Sequence, residues 1–137
     1  MIQETGIVIT EDCLSPLNAA LDEMLNGSKA TCVLLINGND GSLLAARGPT
    51  SALDTTSLAA LAAGAFASTR EMARLVGEPE FTVLFHQGQR HHLHVNSAGE
   101  QGLVMTLFTD DTTVGLVRLC ARKTCARVNV LLSQTKE

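Results

Sequence analysis

The chain has 137 residues, which is one domain at roughly 150 residues each. Apolar residues make up 45% and charged residues 18%, a balance that excludes a disordered chain. A net charge of -4, with no Trp or Tyr and only four Phe, argues against a general nucleic-acid binder, which needs a basic surface and stacking aromatics.

The N-terminus, MIQETGIVITEDCL, carries Glu4, no basic cluster and no A-x-A site, so no secretory signal is expected. No apolar run approaches the roughly 20 residues that span a bilayer, so no membrane insertion is expected either. A cytoplasmic location follows as the expectation, with one domain over 1–137. It agrees with reading Cys13, Cys32, Cys120 and Cys125 as free core thiols, because Cys120 and Cys125 lack C-x-x-C spacing and no second pair of metal type accompanies them.

A first helix is expected over about 11–26, from Leu14, Leu17, Leu21, Met24 and Leu25 at helical spacing. Asn26-Gly27 offers a left-handed stop. It starts near Thr10 with Pro16 inside, or at Ser15-Pro16. The run TCVLLIN at 31–37 is apolar at nearly every position, the mark of a strand covered on both faces. Asn37 to Gly41 is turn chemistry, and 42–47 returns as the second strand of a hairpin.

Asp54-Thr-Thr-Ser is a good N-cap for a long helix that runs to about Val76, where Gly77 and Pro79 end it. Residues 58–67 contain no polar side chain. Leu58, Leu61, Ala65, Met72 and Val76 are expected to form the sheet-facing stripe. Ala60, Ala63, Gly64 and Ala67 then point elsewhere, yet are apolar too. A helix apolar all round is normally covered all round. Gly inside a helix costs about 1 kcal/mol relative to Ala, so Gly64 is not explained by helix propensity. The small-residue side is expected to meet a second chain.

Three strands follow at 80–87, 90–97 and 102–109, joined by Gln87-Gly88-Gln89 and Ala98-Gly99-Glu100. A last helix covers about 112–134 behind Asp110, Asp111 and Thr112, with Val114, Val117, Ala121, Val128 and Leu131 on one side. His86, His91, His92 and His94 fall within nine residues, and a strand puts His92, His94 and Asn96 on one face. A metal site would need His86 to join His92 and His94; a solvated polar face is the simpler expectation. No phosphate loop, dinucleotide fingerprint, nucleophile elbow or HExxH is present. The fold class is α+β in the order αββαβββα. One five-stranded antiparallel sheet carries the long helix on one face and the terminal helices on the other.

Taken in order, five stretches resemble the Roadblock/dynein light chain family, and within it the bacterial MglB-like branch. They are Asp54-Thr-Thr-Ser-Leu-Ala-Ala-Leu-Ala-Ala-Gly, Ala73-Arg-Leu-Val-Gly-Glu, Phe85-His-Gln-Gly, Leu103-Val-Met-Thr-Leu-Phe-Thr-Asp and Thr112-Thr-Val-Gly-Leu-Val-Arg-Leu. The likeness covers about 30–120 well and the first helix loosely. The resemblance implies a homodimer with the long helices side by side and the strand at 80–87 paired with its copy. Leu61, Phe66, Glu80, Phe81, Val83 and Phe85 would then lie at the copy–copy interface.

It also implies a partner: a Ras-like small GTPase held across the paired helices by Ala60, Ala63, Gly64, Ala67, Arg70, Glu71 and Arg74. In the MglB-like branch the dimer speeds GTP hydrolysis by reshaping the GTPase rather than by inserting an arginine finger. The chain itself would then be no enzyme and hold no cofactor or metal; the GTPase carries GTP or GDP and magnesium. Arg70 and Glu71 stand where the family often keeps small residues. The alternative reading is a dimeric scaffold or sensor module without GTPase-activating activity. A metal-dependent enzyme built on the histidines is the third.

Overall fold

The computed structural model describes residues 9–134. The reading of the first residues as no secretory signal lies outside that range. The elements follow the expected order: α1 Glu11–Ser28, β1 Cys32–Asn37, β2 Leu43–Arg47, α2 Thr55–Leu75, β3 Val83–Gln87, β4 His92–Ala98, β5 Gly102–Phe108 and α3 Val114–Ser133. The strands make one sheet in the order β2-β1-β5-β4-β3, and every neighbouring pair is antiparallel. The β1–β2 hairpin and the β3–β4–β5 meander join along β1 and β5, where Leu34 faces Met105 and Ile36 faces Leu103. β2 and β3 are the edges.

α2 covers one face of the sheet, and α1 and α3 cover the other. β1 is buried at all six positions because it lies inside the sheet with both faces covered. Leu34 and Ile36 go under α2; Val33 and Leu35 go under α1 and α3. No helix among the described residues is long and apolar enough to cross a membrane.

The helix ends follow local chemistry. The Asp54 carboxylate accepts from the Ser57 N–H at 3.0 Å and from its hydroxyl at 2.7 Å, which holds the carboxyl below its ordinary range. At the other end of α2, Gly77 sits at φ 82°. The Gly77 N–H donates to the Arg74 carbonyl at 3.2 Å and the Glu78 N–H to the Ala73 carbonyl at 2.9 Å. That pair of bonds closes a helix onto a left-handed glycine.

Several boundaries differ from expectation. α1 starts at Glu11 with Pro16 inside it and continues through Gly27; the left-handed residue that ends it is Lys29, at φ 59°. α3 begins two residues later than expected, at Val114, because Thr113 supplies the cap, its hydroxyl accepting from the Leu116 N–H at 3.2 Å. β3 begins at Val83, so Glu80 and Phe81 precede the strand.

The histidines require a larger correction. The β4 face that carries His92, His94 and Asn96 lies beneath α3 and is buried, not solvated. His92 packs against the rings of Phe85 and Phe108, with centroids 6.3 and 5.2 Å away. The Gly88 N–H donates to its Nδ1 at 3.2 Å, so Nε2 bears the proton that faces Asp110 Oδ1 at 2.8 Å. Among the described residues, both ring nitrogens of His94 lack a partner, as does the hydroxyl of its cross-strand neighbour Thr106. Burial, and then the charge of Arg118, push the His94 pKa down to about 4, so the ring is neutral. His86 and His91 are exposed, and the four rings do not converge.

Candidate functional site: the outer surface of α2

Three rows of side chains run along α2. The row toward the sheet is Ala59, Ala62, Phe66, Thr69 and Ala73. The expected row of Leu58, Leu61, Ala65, Met72 and Val76 is displaced from it by roughly a quarter turn of helix. Leu61 is 70% exposed and Val76 67%, and Met72 is exposed as well. They cannot be the sheet contact. The helix turns mostly small residues inward, and Phe66 is the large side chain that it buries in the cluster with Leu34, Ile36, Val95, Leu103 and Met105.

The row on the other flank holds Ala60, Ala63, Ala67, Arg70 and Arg74. Ala63 is half-buried and the rest are exposed. The protomer itself uses the smallness of the first two. The β1–β2 turn passes close by, and a Cβ at Gly41 would sit 3.1 Å from the Ala60 Cα and 3.5 Å from the Ala63 Cβ. Among the described residues no packing contact requires a glycine at position 64. A Cβ built there meets no atom within 4 Å. Gly64, Glu71 and Leu75 form the crest between the flanks, and Leu75 is 77% exposed.

Charge enters only at the C-terminal half of this surface. Arg74 pairs with Glu71 at 2.6 Å in solvent, and the Arg70 guanidinium lies 5.7 Å from the centroid of the Phe66 ring. Exposed pairs of this kind contribute little to stability. Of the seven residues assigned to the GTPase-facing stripe, six are exposed and Ala63 is half-buried against the core under α2.

The residues assigned to the copy–copy interface divide. Leu61, Glu80 and Phe81 are exposed, and Val83 is half-buried on the free β3 edge. Phe66 is a correction: it is a buried core residue between α2 and the sheet and offers no surface. Phe85 points to the other face, stacked on Phe108 with centroids 6.1 Å apart, and is half-buried there. Met72, Leu75 and Val76 escaped the sequence-based selection of surface residues. The signal was the i, i+3, i+7 run of Ala59, Ala62 and Phe66, which is as periodic as the row of larger residues.

Together, α2 and the segment after it expose Leu61, Met72, Leu75, Val76 and Phe81, and Phe81 leads into β3, an edge strand of the sheet. Leu84 and Leu93, on the same sheet face toward β3, remain half-buried. A set of exposed apolar groups beside an open edge marks an association surface.

Comparisons with known proteins bear on that surface. The Roadblock/LC7 domain model matches residues 17–121. Among solved structures the chain is similar to Myxococcus xanthus MglB, at 32% identity and a TM-score of 0.86 over 96% of this chain and 98% of that one. It is similar to the gliding protein MglB from Thermus thermophilus, at 28% identity and a TM-score of 0.88 over 97% and 99%. It also resembles an MglB with a tetrameric arrangement, at 27% identity and a TM-score of 0.89 over 98% and 99%. No curated protein matches the sequence.

Proposed function

This chain belongs to the Roadblock/LC7 domain family, and on that footing we propose that it works as a homodimeric regulator of a Ras-like small GTPase, accelerating its GTP hydrolysis. The observation that carries the reading is the outer surface of α2. A glycine with nothing above it lies beside an apolar flank too large for a free helix. The whole-length likeness to MglB supports it further.

In this reading the β3 edge pairs with the β3 edge of a second copy, which satisfies its free N–H and C=O groups. Pairing brings the apolar flank of α2, with Leu61, Met72 and Val76, against its copy. Each such side chain contributes up to about 1.5–3 kcal/mol when fully buried. The GTPase then docks across both helices. Gly64 and Ala67 let its backbone approach closely, and Arg70, Glu71 and Arg74 make a polar rim. The chain makes and breaks no bonds. It holds the GTPase in the shape in which that protein's own residues, nucleotide and magnesium do the chemistry.

The charged segment Arg70–Glu71–Arg74 favours the second reading, a dimeric scaffold or sensor, because it interrupts the small-residue surface. Hydrolysis measurements separate the two. A Ras-like GTPase from the same genome should hydrolyse GTP at least tenfold faster with the protein than without it. Ala67→Arg should abolish the effect while leaving the dimer and its circular dichroism unchanged. Binding without acceleration selects the scaffold. Sedimentation of the wild-type protein as a lone protomer removes both.

A further inference from the structure

On the opposite side of the sheet from α2, a cleft of about 360 Å³ opens between α3 and the β3 edge. Its polar lining comes from three elements: Arg118, Arg122 and Asn129 of α3, Asn96 and Ser97 of β4, and Thr82 just before β3. Arg118 and Arg122 are four residues apart, so both side chains leave the helix on the same side.

Neither arginine forms an ion pair among the described residues, whereas Arg47, Arg74 and Arg127 pair with Asp22, Glu71 and Glu23. Among the described residues no carboxylate lines the cleft; Glu100 lines the adjoining hollow beyond Gly99 and Asn129. Cys125, at the cleft wall, is held neutral because burial pushes its thiol up to about 12. The local charge is therefore positive and uncompensated, and it reaches His94 underneath.

Asn96 points to a ligand independently of the arginines. It is only 5% exposed, it lines the cleft, and its carboxamide makes no hydrogen bond among the described residues. Only its backbone carbonyl is engaged from α3, by the Cys125 thiol at 3.7 Å. The little of Asn96 that is accessible opens into the cleft, so its carboxamide is free to bond a group bound there.

We propose that this cleft binds a phosphoryl group. Arg118 and Arg122 would supply the charge, and Asn96, Thr82 and Asn129 the further hydrogen bonds. A carboxylate is planar, and one arginine fork satisfies it. Donors from α3, β4 and the start of β3 approach from three directions, which suits a tetrahedral anion better. The site lies on the face away from α2 and does not depend on the GTPase reading.

The test is a titration followed by the side-chain amide signals of Asn96 and Asn129 in proton–nitrogen NMR spectra, at constant ionic strength. Inorganic phosphate and glycerol 3-phosphate are the two probes, with chloride as the blank. Saturable shifts at Asn96 are expected with phosphate and not with chloride. Tighter binding of the ester assigns the site to phosphorylated small molecules; equal binding assigns it to free phosphate. The variant R118Q/R122Q, altered only at exposed positions, should weaken binding at least about tenfold with the rest of the spectrum unchanged. R127Q, which removes the arginine paired with Glu23, should leave binding intact. Equal shifts in R118Q/R122Q, or no saturable shift at Asn96, overturn the assignment.

Discussion

The two faces of the sheet are built differently. Under α1 and α3 the core is made of large side chains, among them Leu17, Leu21, Met24, Phe108 and Leu132. Under α2 the helix contributes Ala59 and Ala62 with Phe66 as its large buried anchor and Leu58 half-buried beside them, while Leu61, Met72, Leu75 and Val76 stay outside. An ordinary surface helix does the reverse, with large apolar residues inward and polar ones outward. α1 buries or half-buries its large apolar residues within the protomer, and α3 leaves Leu119 and Val130 exposed. α2 carries more apolar surface than the protomer can cover, which is the physical content of calling it an interface helix.

The sharpest way to break this comparison is to remove the anchor. Phe66→Ala should destabilise the protomer by about 3–5 kcal/mol, since it empties the one deep contact of α2. Leu61→Ala should stay within about 0.5 kcal/mol of the wild type under the same conditions. Urea unfolding at protein concentrations low enough to separate copies measures both. Similar losses for the two variants would mean that α2 is not oriented as described.

The sealed face makes its own prediction, through the ring it desolvates. The folded-state pKa of His94 is about 4 against an ordinary 6.5. The unfolded chain therefore binds the extra proton between those values. Stability is fully present above about pH 6.5 and falls as pH drops toward 4, by up to about 1.4 kcal/mol per pH unit. His94→Leu removes that dependence, so its stability relative to the wild type should rise as the pH of the urea titration goes from 7 to 5. A constant difference across that range would show that the ring is accessible to protons in the folded state.

How much of this could be read from the residues depended on whether one signal or two competed. At β1 only one reading existed: an unbroken apolar run has to be covered on both faces. Asp54 and Gly77 likewise marked the ends of α2, because a cap and a left-handed stop are local chemistry. Inside α2 two periodic rows competed. Choosing the row of larger residues reversed inside and outside, because nothing local reports how closely the helix backbone approaches the sheet. β4 failed for a similar reason. Alternation shows that His92, His94 and Asn96 share a face, but not that a helix from residue 114 onward will cover it. The same long-range placement kept the Arg118–Arg122–Asn96 cleft out of the sequence reading. The recognised motifs named α2 but also put Phe66 on its outer surface, since family-level motifs name a helix without fixing the rotation of each side chain.

The smallest expected effect is also the most direct test of what the surface of α2 is for. Gly64 and Gly48 are both glycines without a substitute in the sequence, but for different reasons. Gly48 sits at φ 94°, and a Cβ there would lie 2.6 Å from the Thr31 carbonyl oxygen, so Gly48→Ala should cost about 1–2 kcal/mol or more within the protomer. Gly64 is inside a helix with open space above it, so Gly64→Ala should stabilise the protomer by about 0.5–1 kcal/mol through helix propensity alone. If the crest of α2 is a docking surface, the same methyl group lies where another backbone approaches. Gly64→Ala should then raise the urea midpoint and weaken partner binding together. A variant that is more stable and binds as well as the wild type would show that the glycine serves neither the fold nor the interface.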